Sequence, residues 1–307
     1  MVQRRLVGVL LLAAAVLAVV VVAGLAPRRV AGVPQAVWAP GPPAVGDCVP
    51  EPVNPASWGV FPYHYPQLRF EACDGFRFGE VVAVLADPAE PPATTASATS
   101  GSVGDPNAET CLEEGSSYVG SDTLFRYWSP RVYAFSVPVS PSPLQRSVGQ
   151  HWLACAAFIP ADQAQTAVER YDGSLRNALS TGNEREVLGF CGSGSDWTTG
   201  YVSTCGSPHD FQVLASGIVG GGDVSRTELQ RTCVQVAQRL TALPDVTAAG
   251  ALAVKLQSID NTGASFDSGG VHVEATIGCG IRAVGSRQLV GSLVALGDLP
   301  IPWEGLR

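Results

Sequence analysis

The sequence predicts an α+β protein: an N-terminal transmembrane helix followed by two tandem disulfide-stapled α+β domains of similar topology. Three observations carry this. Residues 6–26 form an apolar run without a charged side chain, all eight cysteines lie after it, and each half of the chain places four cysteines in the same order of local settings.

The apolar run, LVGVLLLAAAVLAVVVVAGLA, would span about 30 Å as a helix, the thickness of a bilayer's hydrocarbon core. A cleaved signal has a shorter apolar region, and here Pro27 follows the only small-x-small site, so the segment reads as an uncleaved anchor. Arg4 and Arg5 on one flank balance Arg28 and Arg29 on the other, leaving the positive-inside rule undecided. The cysteines orient the chain instead. Cys48, Cys73, Cys111, Cys155, Cys191, Cys205, Cys233 and Cys279 are an even set without any C-x-x-C spacing, which favours disulfides in an oxidising compartment over zinc. The N-terminus is therefore expected in the cytoplasm and the bulk of the chain outside it, in the cell membrane's single-pass class. No metal site and no cofactor is predicted.

Of 307 residues, 46% are hydrophobic and 15% charged, enough apolar material for sizeable cores. After Arg29 stand 15 basic residues (the 19 in the chain less Arg4, Arg5, Arg28 and Arg29) and all 27 acidic ones, a formal charge of −12. Such an ectodomain disfavours nucleic acid and anionic lipid as partners.

Along the chain, residues 1–26 hold the cytoplasmic N-terminus and the anchor, and 27–45 a proline-rich tether. Residues 46–159 form the first copy, interrupted at 87–109 by a stretch almost devoid of large apolar side chains and therefore expected as a disordered loop. Residues 160–182 are predicted as a helical connector, because Ala164, Ala167, Val168, Tyr171, Leu175 and Ala178 recur at helical spacing between a possible Asp162 cap and Gly182. Residues 183–307 form the second copy. In each copy the pattern is strand, strand, helix, strand. Cys48 follows VGD and Cys191 follows VLGF; Cys73 precedes EVVAVLA and Cys205 precedes FQVLASGIV; Cys111 and Cys233 open helices; Cys155 and Cys279 sit in terminal strands.

That order also bears on pairing. With bonds confined to each copy, first-with-second and third-with-fourth fits both: Cys48 with Cys73, Cys111 with Cys155, Cys191 with Cys205, Cys233 with Cys279. Cys191 and Cys205 bracket a turn-rich stretch that can bring two strands side by side, and Cys233 opens a helix that can lie on the strand ending at Cys279.

The candidate functional residues lie beside the second cysteine of each copy. CGSPHDFQV (205–213) aligns without a gap on CDGFRFGEV (73–81), setting His209 opposite Arg77, Asp210 opposite Phe78 and Gln212 opposite Glu80. An acid-base pair intrinsic to the fold would be missing from one copy. His209 is better read as a turn histidine leading into a strand, and no catalytic residue is assigned. Asp267-Ser268-Gly269-Gly270 lacks the histidine setting of a serine protease, the glycine-rich 216–223 lacks a P-loop lysine, and His64 lies in an aromatic turn.

VGDCV, CGSPHDFQV, the cysteine-led helix, WLACAA and YDGSLRNAL together resemble the septum-formation domain family of actinobacterial envelope proteins, over most of residues 44–285. In that family a Cys-x-x-Pro-His-x-x-Glu-Val stretch follows a Gly-Asp-Cys start. Here the Cys73 motif has Glu80 without the Pro-His pair, and the Cys205 motif has Pro208 and His209 with Gln212 in place of the glutamate. The resemblance implies an extracytoplasmic, membrane-attached protein associated with cell division or envelope work, and no enzymatic activity. The expected role is non-enzymatic binding or scaffolding of an envelope protein or glycan. The rival readings are an envelope hydrolase using His209 with Asp210 or Glu80, and a purely structural protein that stabilises a membrane partner.

Overall fold

The computed structural model describes residues 38–55, 65–85, 88, 105–121, 127–161, 166–194, 197, 201–219, 224–258, 266–267, 270–271 and 275–305. The predicted anchor, most of the tether, and His64, Asp162, Ser268 and Gly269 lie outside them. Among the described residues no helix is long and apolar enough to cross a membrane.

The fold is α+β, with two antiparallel sheets and four disulfides. Runs of β-branched and small residues bounded by Gly, Pro and polar turns supply the strands. In the first half these are β1 (Cys48–Val49), β2 (Gly79–Leu85), β3 (Ser129–Pro130), β4 (Phe135–Val139) and β5 (Leu153–Phe158). The second half supplies β6 (Phe190–Ser193), β7 (Tyr201–Ser203), β8 (Phe211–Val219), β9 (Leu252–Ser258), the short hairpin β10 (Phe266–Asp267) with β11 (Gly270–Val271), and β12 (Ala275–Ala283). The first sheet runs β1-β2-β5-β4, and the second runs β7-β6-β8-β12-β9 with β3 paired to β8. Set β3, β7 and the hairpin aside, and each sheet orders its strands first, second, fourth, third along the chain. The third strand of each set, β4 or β9, was absent from the predicted pattern.

One long helix lies between the second and third strands of each set. α1 (Pro106–Val119) starts at Asp105, whose carboxylate accepts from the Asn107 N–H, and it ends at Gly120 in the left-handed region. Of the stretch predicted as a disordered loop, 87–109, residues 106–109 are instead helical in α1, and apart from Pro88 and Asp105 the rest lies outside the described residues. Tyr65 donates to Asp105 at 2.7 Å and accepts from Asn107 at 2.9 Å. Burial, reinforced by Asp105 and opposed by Asn107, pushes the Tyr65 hydroxyl up to about 12. Three short helices follow: α2 (Pro143–Ser147), α3 (Ala178–Thr181) and α4 (Arg185–Leu188). α5 (Arg226–Thr241) is capped by the Ser225 hydroxyl and ends at Ala242, again left-handed. Both long helices begin more than a turn before the cysteine that was expected to open them.

The bridges are Cys48–Cys73, Cys111–Cys155, Cys191–Cys205 and Cys233–Cys279, the pairing predicted. The second and fourth pin a long helix to the same feature of each sheet. Ala83 pairs with Cys155 immediately after a bulge at Val82, and Ala215 pairs with Cys279 immediately after a bulge at Leu214.

The predicted helical connector at 160–182 is mostly not helical. Pro160 bridges Val168, the Ala161 N–H donates to Ala167, and Tyr171 exchanges both backbone bonds with Arg77. Of the described residues there, only those of α3 are helical, and the segment stops at Gly182 in the left-handed region. Of the six apolar positions, Val168, Tyr171, Leu175 and Ala178 are buried, Ala167 is exposed, and Ala164 lies outside the described residues. The backbone of Tyr171 and Leu175, however, bonds to Arg77 and the Glu80 carboxylate, on β2 and its approach, and Val168 bridges Pro160, so tertiary bonding overrides local helical periodicity.

From Pro40 to Arg307 the chain is one compact unit. Its main core cluster draws Val82, Tyr118, Trp128 and Tyr133 from the first half together with Leu188, Leu214, Val236 and Leu240 from the second.

Candidate functional site

His209 sits where the chain enters β8. Its backbone exchanges hydrogen bonds with Leu289 at 3.0 and 2.8 Å, and its Nδ1 lies 2.7 Å from the Ser207 carbonyl oxygen. A carbonyl can only accept, so Nδ1 carries the proton and Nε2 presents a lone pair. The residue is 0% exposed, and among the described residues Nε2 has no hydrogen-bond partner. Burial lowers its pKa from the ordinary 6.5, against the opposing pull of Ser207 and Asp210. Asp210 is turned to other work: its carboxylate accepts from the Gly194 N–H at 3.0 Å and from Gln288 at 3.1 Å. His209 also lies in a group with Cys191 and Cys205 whose ligand atoms are within 4.8 Å of one another. Both sulfurs are bonded to each other, and a disulfide offers no thiolate to a metal.

Arg77, the residue aligned with His209, is likewise buried and pairs its backbone with Tyr171. Among the described residues its buried Nε has no hydrogen-bond partner, and neither has the buried Tyr171 hydroxyl. Burial, with the Glu80 charge adding to it, raises the Tyr171 pKa well above the usual value.

Glu80 is the most heavily bonded of the predicted residues. Oε1 accepts from the hydroxyls of Tyr118 and Ser174, each at 2.7 Å, and Oε2 accepts from the Leu175 N–H at 2.8 Å. Burial first, and the bond to Glu80 second, raise the Tyr118 pKa. Gln212 occupies the aligned position on β8 and does the corresponding work: Nε2 donates to the Ser292 hydroxyl and Oε1 accepts from the Leu293 N–H, both at 2.7 Å.

Each half therefore closes on a strap with the tripeptide Gly-Ser-Leu, at 173–175 and 291–293. The straps agree position by position. Tyr171 and Leu289 bridge Arg77 and His209; the Asn177 and Ala295 N–H groups donate to the ends of α1 and α5, at Tyr118 and Leu240; and Asn177 and Ala295 both have positive φ, 53° and 49°. Sequence reasoning aligned Gln212 with Glu80 but missed Ser174, Ser292 and the tail that carries Ser292. The repeated tripeptide was the available signal.

Beside the Glu80 cluster lies an open cleft of about 260 Å³. Val45, Val82 and Tyr118 line it together with the polar Glu114, Ser117, Arg176 and Asn177. The Arg176 guanidinium lies 4.6 Å above the Tyr118 ring. Arg176 and Glu114 are exposed, and among the described residues neither makes an ion pair. The structure does not join Arg77, Glu80, His209 and Asp210 into one cluster: Glu80 borders the cleft through Tyr118, whereas His209 is sealed beside a disulfide.

No family model, no curated protein and no solved structure matches the chain.

Proposed function

We propose that the chain is a single-pass, membrane-anchored extracytoplasmic protein of the bacterial cell envelope, made of two tandem copies of one disulfide-stapled unit, which binds an envelope protein or glycan without transforming it. Septum formation is the setting that the motif resemblance implies. The carrying observation is how the polar groups are distributed. His209 and Glu80, the residues best suited to proton transfer, are buried, while Arg176 and Glu114, which make no ion pair among the described residues, line an open cleft. General acid-base chemistry needs substrate or water within hydrogen-bond reach of the base, whereas recognition needs exposed polar groups around a concavity.

Support for the tandem copies lies in the shared strand order, the two bulges and the two straps. The four disulfides support an oxidising location. Two measurements test the reading. Alkaline phosphatase fused after Arg307 should be active, since that enzyme matures only outside the cytoplasm. Purified full-length protein incubated with peptidoglycan should release no soluble fragments. Fragment release that stops in His209→Ala would establish the hydrolase instead.

A further inference from the structure

Among the differences between the two halves, one identifies an unfilled seat. In the second sheet, residues 128–133 of the first half lie along β8 on the side of β6. Ser129 and Pro130 pair with Ser216 and Ala215, the Arg131 N–H donates to the Leu214 carbonyl at 2.8 Å, Val132 bridges Gly189, and the Tyr133 N–H donates to Leu188 at 2.7 Å. Trp128 and Tyr133 are buried in the same cluster as Leu188, Leu214, Val236, Leu240 and Val294, and the Trp128 indole N–H reaches Thr232 at 2.9 Å.

In the first half the aligned positions are Val45, Val82, Glu114, Tyr118 and Arg176, all of which line the open cleft. β1 pairs with β2 at Gly79 and Glu80, and the residues just before it, Gly46 and Asp47, exchange backbone bonds with Val81. Ala83 and Val84, at the steps of Ala215 and Ser216, have no strand on that side among the described residues. A strand edge thus borders a cleft at the point where the other half is covered by extended chain.

We propose that this cleft is a docking groove for an extended polypeptide segment of a partner protein, which joins β2 antiparallel at Ala83 and Val84 and places an acidic side chain against Arg176. Strand addition of this kind draws affinity from main-chain bonds and specificity from pockets beneath alternate side chains. The second half's seat is apolar at all five positions and takes Trp128 and Tyr133. Here two of the five are charged, which selects an occupant with complementary charge: an acidic residue for Arg176 and a basic one toward Glu114.

The inference rests on the binding reading above and names the partner's chemistry. Random short peptides displayed on phage are selected against the full-length chain in detergent. Selected peptides should share an acidic position, and a synthetic copy should slow amide exchange at residues 82–85 but not in β8. Arg176→Glu, an exposed change, should weaken that peptide about tenfold or more and turn a fresh selection toward basic residues. The proposal is overturned if no peptide is selected, if bound peptide leaves exchange at 82–85 unchanged, if Arg176→Glu binds equally well, or if those amides are already protected in the free protein because its own chain fills the groove. Such a failure beside an active phosphatase fusion removes the groove and leaves the envelope location standing.

Discussion

Glu80 and Gln212 fasten equivalent straps with opposite hydrogen-bond polarity: Glu80 accepts from the Ser174 hydroxyl, whereas Gln212 donates to the Ser292 hydroxyl. A carboxylate has no proton to give, so serine must supply it; a primary amide has two and reverses the direction. The remaining acceptor of each side chain takes the N–H of the following leucine. Glu80 also receives the Tyr118 hydroxyl, while the residue at the corresponding step of α5 is the apolar Leu240. The extra donor and the charge therefore occur together, on the side that faces the cleft.

Glu80→Ala is expected to cost about 3 kcal/mol, because it strands three donors that now reach a charged acceptor. Glu80→Gln should cost nearer 1 kcal/mol, since it can reproduce the arrangement of Gln212 and disappoints only Tyr118. Urea unfolding of the purified protein measures both. Equal losses for the two variants would show that the charge, and not the strap geometry, is what the fold needs.

Stability should fall as the solution is acidified below about pH 6.5, and His209 should account for part of the fall. Burial lowers its pKa in the folded chain, so the unfolded chain binds a proton that the folded chain refuses. The contribution is complete above the unfolded value and is lost as pH drops through the folded one. Protonating Nε2 would add a buried charge at an atom that has no acceptor. His209→Gln should flatten this part of a pH-dependent melting curve; an unchanged slope would rule the histidine out as its source.

Residues 183–307 expressed alone should not fold. The isolated segment loses β3, Trp128 and Tyr133, leaving Leu214, Val236 and Leu240 uncovered. A fragment beginning ahead of residue 127 restores that cover and should recover dispersed amide resonances. Sharp, dispersed spectra from 183–307 would show that the crossing segment is dispensable.

Non-reducing peptide mapping should return the four bridges. Replacing Cys111 and Cys155 together by alanine should cost about 2–4 kcal/mol in the chain-entropy account. The Cys191–Cys205 bridge closes a shorter loop, 14 residues against 44, and its removal should cost somewhat less on that ground.

The disulfides, the strand-strand-helix-strand core and the alignment of Glu80 with Gln212 were legible because cysteine order and β-branched runs are local signals. The third strands were not. FSVPV carries a proline, and LAVKLQS places Lys255 at its centre, features that sheet edges tolerate and sequence patterns penalise. Residues 160–182 misled for the opposite reason: a helical period was present, and the backbone bonds of Tyr171 and Leu175 went to residues almost a hundred positions earlier. The crossing stretch at 128–133 shows no period at all, with Pro130 and Arg131 between two aromatics, and only the second sheet gives it a conformation. The cleft was invisible because its lining comes from four separated parts of the chain.

The crossing of β3 onto β8 also constrains the order in which the molecule can be completed. A chain emerging from its N-terminus presents Trp128 and Tyr133 well before Leu188, Leu214 and Thr232 have been made. Through that interval two large aromatic rings lack the surface that will cover them, a state prone to association with other chains. The final closure joins contacts far apart in sequence, so the loop-closure cost is met before most of the stabilising burial is gained. Unlike beads on a string, the two halves should mature in a single late step, and a chain stalled near residue 180 would be recognisable to a protease or a chaperone by those two rings.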